Sequence, residues 1–425
     1  MQMGAARPIR VLAVDDSVVM RGVLRTLFLA PQLPSAELPE MVLCGVAADG
    51  LECLESVLRL RPDVVILDLE MPRMNGLDVL ERLRMEEPGL PVIMCSAYTE
   101  RGARATLDAL AMGAADYVMK PSEQSDFATA KMTLANQLLP KIAALAGVGF
   151  EALSQVRGRT TRQEIAGSSA PQNPERTPSS MPAAASTQVN IVTIGVSTGG
   201  PSALEAVLPH LAGGFPVPIA IVQHMPKLFT GELAERLDRC CALRVREARH
   251  GEELVPGTVW LAPGDSHMEV AEAAAGPAFG NGNDGVRKVA IHLHQQRSLN
   301  HCKPSVDYLF SSAARVYGAG TLALVMTGMG SDGLTGARRV HEAGGVVLAQ
   351  DAATSAVWGM PGRVFEAGLA RTPLPLQQIA AELTRRARVG RSGHAAHDAA
   401  AIMPVPQRNR NTTAKPHPEV LHGLL

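Results

Sequence analysis

The sequence predicts two α/β domains, each a parallel sheet covered on both faces by helices, joined by a flexible linker. Three observations carry this expectation. Short apolar runs alternate with segments of helical period such as Leu77, Leu80 and Leu83, the pattern of strand–helix–strand units. Residues 168–188 hold Pro171, Pro174, Pro178 and Pro182 with no Leu, Ile, Val or aromatic residue, so they cannot bury enough surface to offset their ordering entropy. At 425 residues, with 46% hydrophobic and 19% charged, the chain exceeds one small module and has ample material for cores.

The expected boundaries are 7–146 for the first domain, 147–188 for the linker, 189–388 for the second domain and 389–425 for a disordered tail. In the first domain the strand runs are 9–14, 41–46, 64–67, 92–95 and 117–119, giving a five-stranded parallel sheet. In the second they are 191–194, 219–222, 259–261, 289–293, 322–326 and 346–349, again read as a doubly wound sheet. Forty basic residues balance forty-one acidic ones, and no helix-turn-helix pattern or basic recognition helix stands out, so nucleic acid is not an expected partner. Six cysteines without a C-x-x-C pair argue against structural zinc and against a disulfide scaffold. No run reaches the ~18 apolar residues of a spanning helix, and the run 11–14 stops at Asp15, far short of a signal peptide. A cytoplasmic setting follows as the expectation.

Open parallel sheets bind their ligands beyond the carboxyl ends of their strands. In the first domain Asp15 and Asp16 follow the first strand, Asp68 the third, Ser96 the fourth and Lys120 the fifth. Three crowded carboxylates repel unless a hard divalent cation such as Mg²⁺ sits among them. A nearby lysine and hydroxyl would then hold phosphoryl oxygens. In the second domain Gly195-Val196-Ser197-Thr198-Gly199 fits G-x-S-x-G, a sharp strand-to-helix turn that exposes the serine. Nucleophile and helix cap are equal readings of Ser197 on that motif alone. Among eight histidines in this domain, His224 is favoured as a base because it directly follows the strand 219–222. Asp332, in the loop after 322–326, suits an imidazolium partner. The same loop also spells G-x-G-x-x-G through Gly328, Gly330 and Gly333, with Asp351 eighteen residues on, which makes a dinucleotide-binding enzyme the rival expectation.

With D-L-E-M-P at 68–72, Asn75-Gly76 and Tyr117 three residues before Lys120, the first domain resembles the receiver domain of two-component response regulators. That resemblance implies a flavodoxin-like fold and phosphorylation of Asp68 by a partner histidine kinase. It further implies Mg²⁺ held through Asp15, Asp16, Asp68 and Glu70, and a switch through Ser96, Tyr117 and Lys120. The chain has no histidine before His210, so this domain cannot donate to itself. With G-V-S-T-G-G-P, Q-H-M-P, K-P-S-V-D, T-G-M-G-S-D-G and W-G-M-P-G, the second domain resembles the catalytic domain of the chemotaxis protein-glutamate methylesterases, the CheB family. This implies cofactor-free hydrolysis of glutamate γ-methyl esters, and deamidation of glutamines, on the cytoplasmic domains of chemoreceptors. Ser197 is then the nucleophile, His224 the base and Asp332 its orienting residue. The amides of Met329 and Thr198 stabilise the oxyanion. The resemblance also implies a receiver that covers the active-site face until phosphorylated. A monomer is expected, and Lys303 departs from the arginine the family pattern leads one to expect.

Overall fold

A computed structural model describes residues 7–29, 38–121, 126–146, 188–273 and 288–389. The linker and the tail, with His394, His397, His417 and His422, lie outside the described residues. In the first domain five strands, β1 (Ile9–Val14), β2 (Met41–Ala47), β3 (Val64–Asp68), β4 (Val92–Ser96) and β5 (Asp116–Met119), form a parallel sheet in the order β2-β1-β3-β4-β5. The chain runs from β1 outward to β2 and then returns to β3, so the β1/β3 boundary is where strand order reverses and where a ligand cleft opens. Five helices cover the faces: α1 (Val18–Leu29), α2 (Gly50–Leu60), α3 (Gly76–Glu86), α4 (Glu100–Ala111) and α5 (Phe127–Leu145). Their starts are written locally. Asp49, Asn75, Thr99 and Asp126 each accept backbone N–H groups of the first turn, satisfying donors that a helix leaves free.

The second domain holds a six-stranded parallel sheet and a separate two-stranded ribbon. The sheet comprises β6 (Ile191–Val196), β7 (Ile219–Gln223), β8 (Arg244–Glu247), β9 (Thr258–Leu261), β12 (Thr321–Val325) and β13 (Val346–Ala349), in the order β13-β12-β6-β7-β9-β8. The ribbon pairs β10 (His267–Glu272) antiparallel with β11 (Val289–His294). The run 289–293 is therefore a strand as the sequence predicts, but not one of the main sheet; its Val289 and Ile291 bury beside Met268 and Val270 in a satellite of the core. Six helices follow or precede these strands: α6 (Gly200–Val207), α7 (Lys227–Cys240), α8 (Val306–Tyr317), α9 (Leu334–Glu342), α10 (Met360–Glu366) and α11 (Leu376–Arg388). Strand order reverses between β6 and β12, which puts the loops after these two strands side by side.

Every residue of β3, β4, β6, β7 and β12 is buried, the mark of strands covered on both faces. One apolar cluster continues from the first domain, through Leu107, Leu110 and Tyr117, into the second, through Leu204, Phe229 and Leu233. No helix among the described residues is long and apolar enough to cross a membrane.

Candidate active site and receiver pocket

Ser197 follows β6 in a turn pinned from three sides. Its N–H donates to Thr327 O at 3.0 Å, and its carbonyl accepts from Gly200 N at 2.8 Å and from Gln223 Nε2 at 3.0 Å. Gly199 caps α6 at φ +75°, a left-handed conformation that glycine adopts without strain. Across the cleft, a Cβ on Gly328 would sit 2.7 Å from the Ser197 Cβ and 2.6 Å from Met360 Sδ, so only glycine lets this loop approach the serine. The W-G-M-P-G segment fixes the loop in turn: Gly328 N donates to Val357 O, and Gly328 O accepts from the amides of Gly359 and Met360. The amides of Thr198 and Met329 make no hydrogen bond among the described residues, which leaves two donors free beside the serine.

His224 follows β7, its N–H donating to Val196 O at 3.1 Å, one strand away from Ser197. Its Nε2 lies 2.8 Å from Asp332 Oδ2 and its Nδ1 3.6 Å from Cys302 Sγ. The structure thus joins His224 to Asp332; Ser197 Oγ makes no hydrogen bond among the described residues. Asp332 is almost wholly buried at 1% exposure and its carboxylate is saturated. Val306 N reaches Oδ2 at 2.7 Å, while Ser305 Oγ at 2.8 Å and Asn300 Nδ2 at 3.2 Å reach Oδ1. Burial works to raise the Asp332 pKa, but the His224 hydrogen bond and the Val306 and Ser305 donors overcome it and hold the carboxyl below its usual range. Burial works to lower the His224 pKa, yet the Asp332 hydrogen bond and the Cys302 contact outweigh it and raise it to about 10. Ser305, the Val306 amide, Asn300 and Cys302 escape sequence reasoning because only the tertiary fold brings residues 300–306 against the loop after β12. The K-P-S-V-D motif at 303–307 marked the place without revealing that its serine and the following amide seat a carboxylate.

The dinucleotide expectation fails on geometry. Asp351 Oδ1 is engaged by Thr354 N at 3.0 Å and Thr354 Oγ1 at 2.6 Å, so it is not presented to a ribose. The close approach of Gly328 to Ser197 and Met360 ties this loop to the serine turn.

In the first domain the carboxylates of Asp15, Asp16 and Asp68 each place an oxygen within 4.8 Å of the others. Such an all-oxygen cluster fits a hard cation of the Mg²⁺ kind. Lys120 Nζ pairs with Asp15 at 2.9 Å and Asp68 at 2.7 Å. Burial first, and the Asp15 charge second, raise the Asp68 pKa to about 6 against the pull of Lys120. Ser96 is buried, and its Oγ donates to Gly102 O at 3.2 Å. Asp68, Ser96, Ala97, Gly102, Ala105 and Lys120 line a small cavity above the β3 end. The Glu70 side chain lies outside the carboxylate trio, mostly exposed and 3.8 Å from Arg101, while Glu70 lines the same cavity.

Tyr117 does not face the cavity. It is 7% exposed and stacks on Phe229 with ring centroids 4.8 Å apart and planes 16° from parallel. Around it Arg104 Nε reaches Glu232 at 2.9 Å, Arg236 joins Asp108 and Glu205, and Ser202 Oγ donates to Leu110 O at 2.9 Å. Helix α4 thereby rests on α6 and α7.

Comparison with known proteins agrees with both halves. Residues 192–383 match the family model described as CheB methylesterase, and residues 11–131 match the response regulator receiver domain. A protein-glutamate methylesterase/protein-glutamine glutaminase from a Nocardioides species is 44% identical over 89% of this chain and 95% of its own. Its counterpart from Trichodesmium erythraeum is 41% identical over 89% of this chain and 98% of its own. A second such protein of Caulobacter vibrioides is 41% identical over 89% and 99%. With a serine turn and a His–Asp couple at the switch point of one sheet and an acidic pocket at that of the other, the chain belongs to the CheB family of receiver-linked methylesterases.

Proposed function

We propose that the chain hydrolyses glutamate γ-methyl esters on the cytoplasmic domains of chemoreceptors, and deamidates receptor glutamines at the same site, through Ser197, His224 and Asp332. The observation that carries the assignment of residues is the saturated Asp332 bound to His224 one strand away from Ser197. Asp332 accepts the Nε2 proton of His224, which leaves the Nδ1 lone pair as the base. As Ser197 Oγ attacks the ester carbonyl, its proton passes to Nδ1, and the oxyanion forms beside the unengaged amides of Met329 and Thr198. Collapse breaks the ester C–O bond; His224 returns the proton and methanol leaves. Water, giving its proton to His224, then attacks the acyl-enzyme and releases glutamate and Ser197. With a glutamine substrate ammonia leaves in place of methanol. General base catalysis contributes typically ~10²- to 10⁴-fold, and each oxyanion donor ~10²- to 10³-fold.

The first domain regulates this site by accepting a phosphoryl group on Asp68 from a partner histidine kinase. Asp15, Asp16 and Asp68 would hold Mg²⁺, which supplies charge neutralisation for phosphoryl transfer. Lys120 and Ser96 receive the new oxygens in the cavity they line. Tyr117 and α4 grip α7, which starts three residues after His224, so a rearrangement of that face reaches the base. Methanol release from methylated receptor fragments tests both parts. Wild type releases methanol, a small phosphodonor with Mg²⁺ increases it, and Ser197→Ala abolishes it; activity surviving in Ser197→Ala would sink the assignment.

A further inference from the structure

The serine turn and the histidine turn leave neighbouring strands, and one side chain outside the triad bonds to both. Val196 and Gln223, the last residues of β6 and β7, are cross-strand partners, and Ser197 and His224 follow them directly. The Gln223 side chain is buried, at 2% exposure. Its Nε2 donates to the Ser197 carbonyl at 3.0 Å and to the His224 carbonyl at 3.2 Å, so one amide joins the two turns. Its orientation follows from these partners, because two carbonyls face it and only the NH₂ end can donate to both. The backbone bond from His224 N to Val196 O aligns the strand ends; the amide bears on the first carbonyl beyond each.

Two features say that this amide serves position and not packing. Its Oε1 is buried with no hydrogen-bond partner among the described residues, a cost that a thioether of the same length would avoid. Gly200, at the start of α6, lies so close that a Cβ there would collide with Oε1 and Cδ of Gln223. The serine turn thus gives up a side chain at Gly200 to admit the amide. Gly200 N also donates to the Ser197 carbonyl at 2.8 Å, so that oxygen is gripped from two sides.

We propose that Gln223 is a positioning residue that sets the separation and angle between Ser197 and His224, acting through both backbones. The inference rests on the roles of nucleophile and base given to these two residues above. A backbone carbonyl that shifts carries its own side chain with it, and proton transfer from Ser197 Oγ to His224 Nδ1 needs the two atoms within hydrogen-bond reach. A misplacement of about 1 Å costs about 10²-fold in rate. A single buried amide that fixes two carbonyls at once holds both ends of that transfer in register.

The test is methanol release from methylated receptor fragments by the full chain, with kcat and KM separated, beside urea unfolding. Gln223→Met keeps the side chain's length and removes the donor. It should lower kcat about 10- to 100-fold with KM within about twofold. Its unfolding midpoint should shift little, because an unpaired acceptor is lost along with the two bonds. Gln223→Glu is nearest in shape but turns acceptor oxygens on two carbonyls, so it should lose more kcat than Gln223→Met; a side chain that only filled space would give the opposite order. A folded Gln223→Met with kcat within about twofold of wild type overturns the inference, as does a loss carried wholly by KM. Where one variant fails to fold, the kcat of the other decides by the same criterion. A wild type that releases no methanol overturns the roles of Ser197 and His224 and this inference with them, whereas an active wild type matched by Gln223→Met overturns this inference alone.

Discussion

Asp68 and Asp332 are the same residue type, both within 3% of complete burial, both in a cleft at a switch point of a parallel sheet, yet their acidities move in opposite directions. Asp332 accepts from a histidine, a hydroxyl, a side-chain amide and a backbone N–H, and its carboxyl stays acidic. Asp68 shares one lysine with the repelling Asp15, and its carboxyl is raised to about 6. Burial alone therefore does not say what a carboxylate is for; the donor inventory does. A saturated carboxylate orients its partner and stays unreactive. An under-satisfied one beside a cavity is poised to take on a new group.

The largest effect that sharpens this contrast is removal of Ser197, the proposed nucleophile. Ser197→Ala should reduce ester hydrolysis by about 10⁴-fold or more with the fold intact, read as methanol release alongside circular dichroism. Next comes Asp332→Asn, which keeps the shape but offers an amide to Nε2; kcat should fall about 10³- to 10⁴-fold, a loss matching Ser197→Ala only if orientation is as important as the nucleophile.

The same pair sets a pH dependence with a definite sign. His224 is raised above its ordinary 6.5, so its stabilisation is complete below that value and is lost as pH rises toward about 10. Asp332 is depressed below its ordinary 3.8, so its stabilisation is present above that value and is lost as pH falls through the lower folded one. Urea unfolding of the wild type should therefore show stability declining from pH 7 to 10 and Asp332→Asn should flatten that slope; parallel slopes would break the coupling. Hydrolysis should rise over the same interval as His224 becomes a free base. Asp68→Asn should act oppositely to Asp332→Asn, increasing stability by about 1–3 kcal/mol at neutral pH through loss of a strained buried charge. It should also abolish the response to phosphodonor while basal hydrolysis persists. The smallest effect belongs to Cys302, 3.6 Å from Nδ1. Cys302→Ser should change hydrolysis by less than about tenfold, yet protect it against iodoacetamide, measured as residual methanol release.

Strand ends were legible in the sequence because fully buried strands read as apolar runs and end at polar residues; Asp15, Asp68, Ser197 and His224 all follow that rule. The strands that escaped are those where it fails. Arg244–Glu247 is an edge strand with alternating charge, and His267–Glu272 carries histidine and glutamate on one face, so neither gives an apolar run to read as a strand. Val289–His294 looked like a sheet member because alternation cannot say which partner a strand will pair with. The seat of Asp332 was hidden for a different reason: Asn300 and Ser305 lie about thirty residues away along the chain, and no local period records a contact closed by folding.

The stack of Tyr117 on Phe229 has a consequence for how this architecture diversifies. The two domains look like interchangeable parts on a string, but the surface of one is cut to the other through Arg104–Glu232, Arg236–Asp108 and that aromatic pair. Recombination that swaps a receiver without its matching α7 joins an ill-fitting brake to a working enzyme. The heritable unit of this protein is thus neither domain alone but the seam between them, and variation on its two sides must travel together.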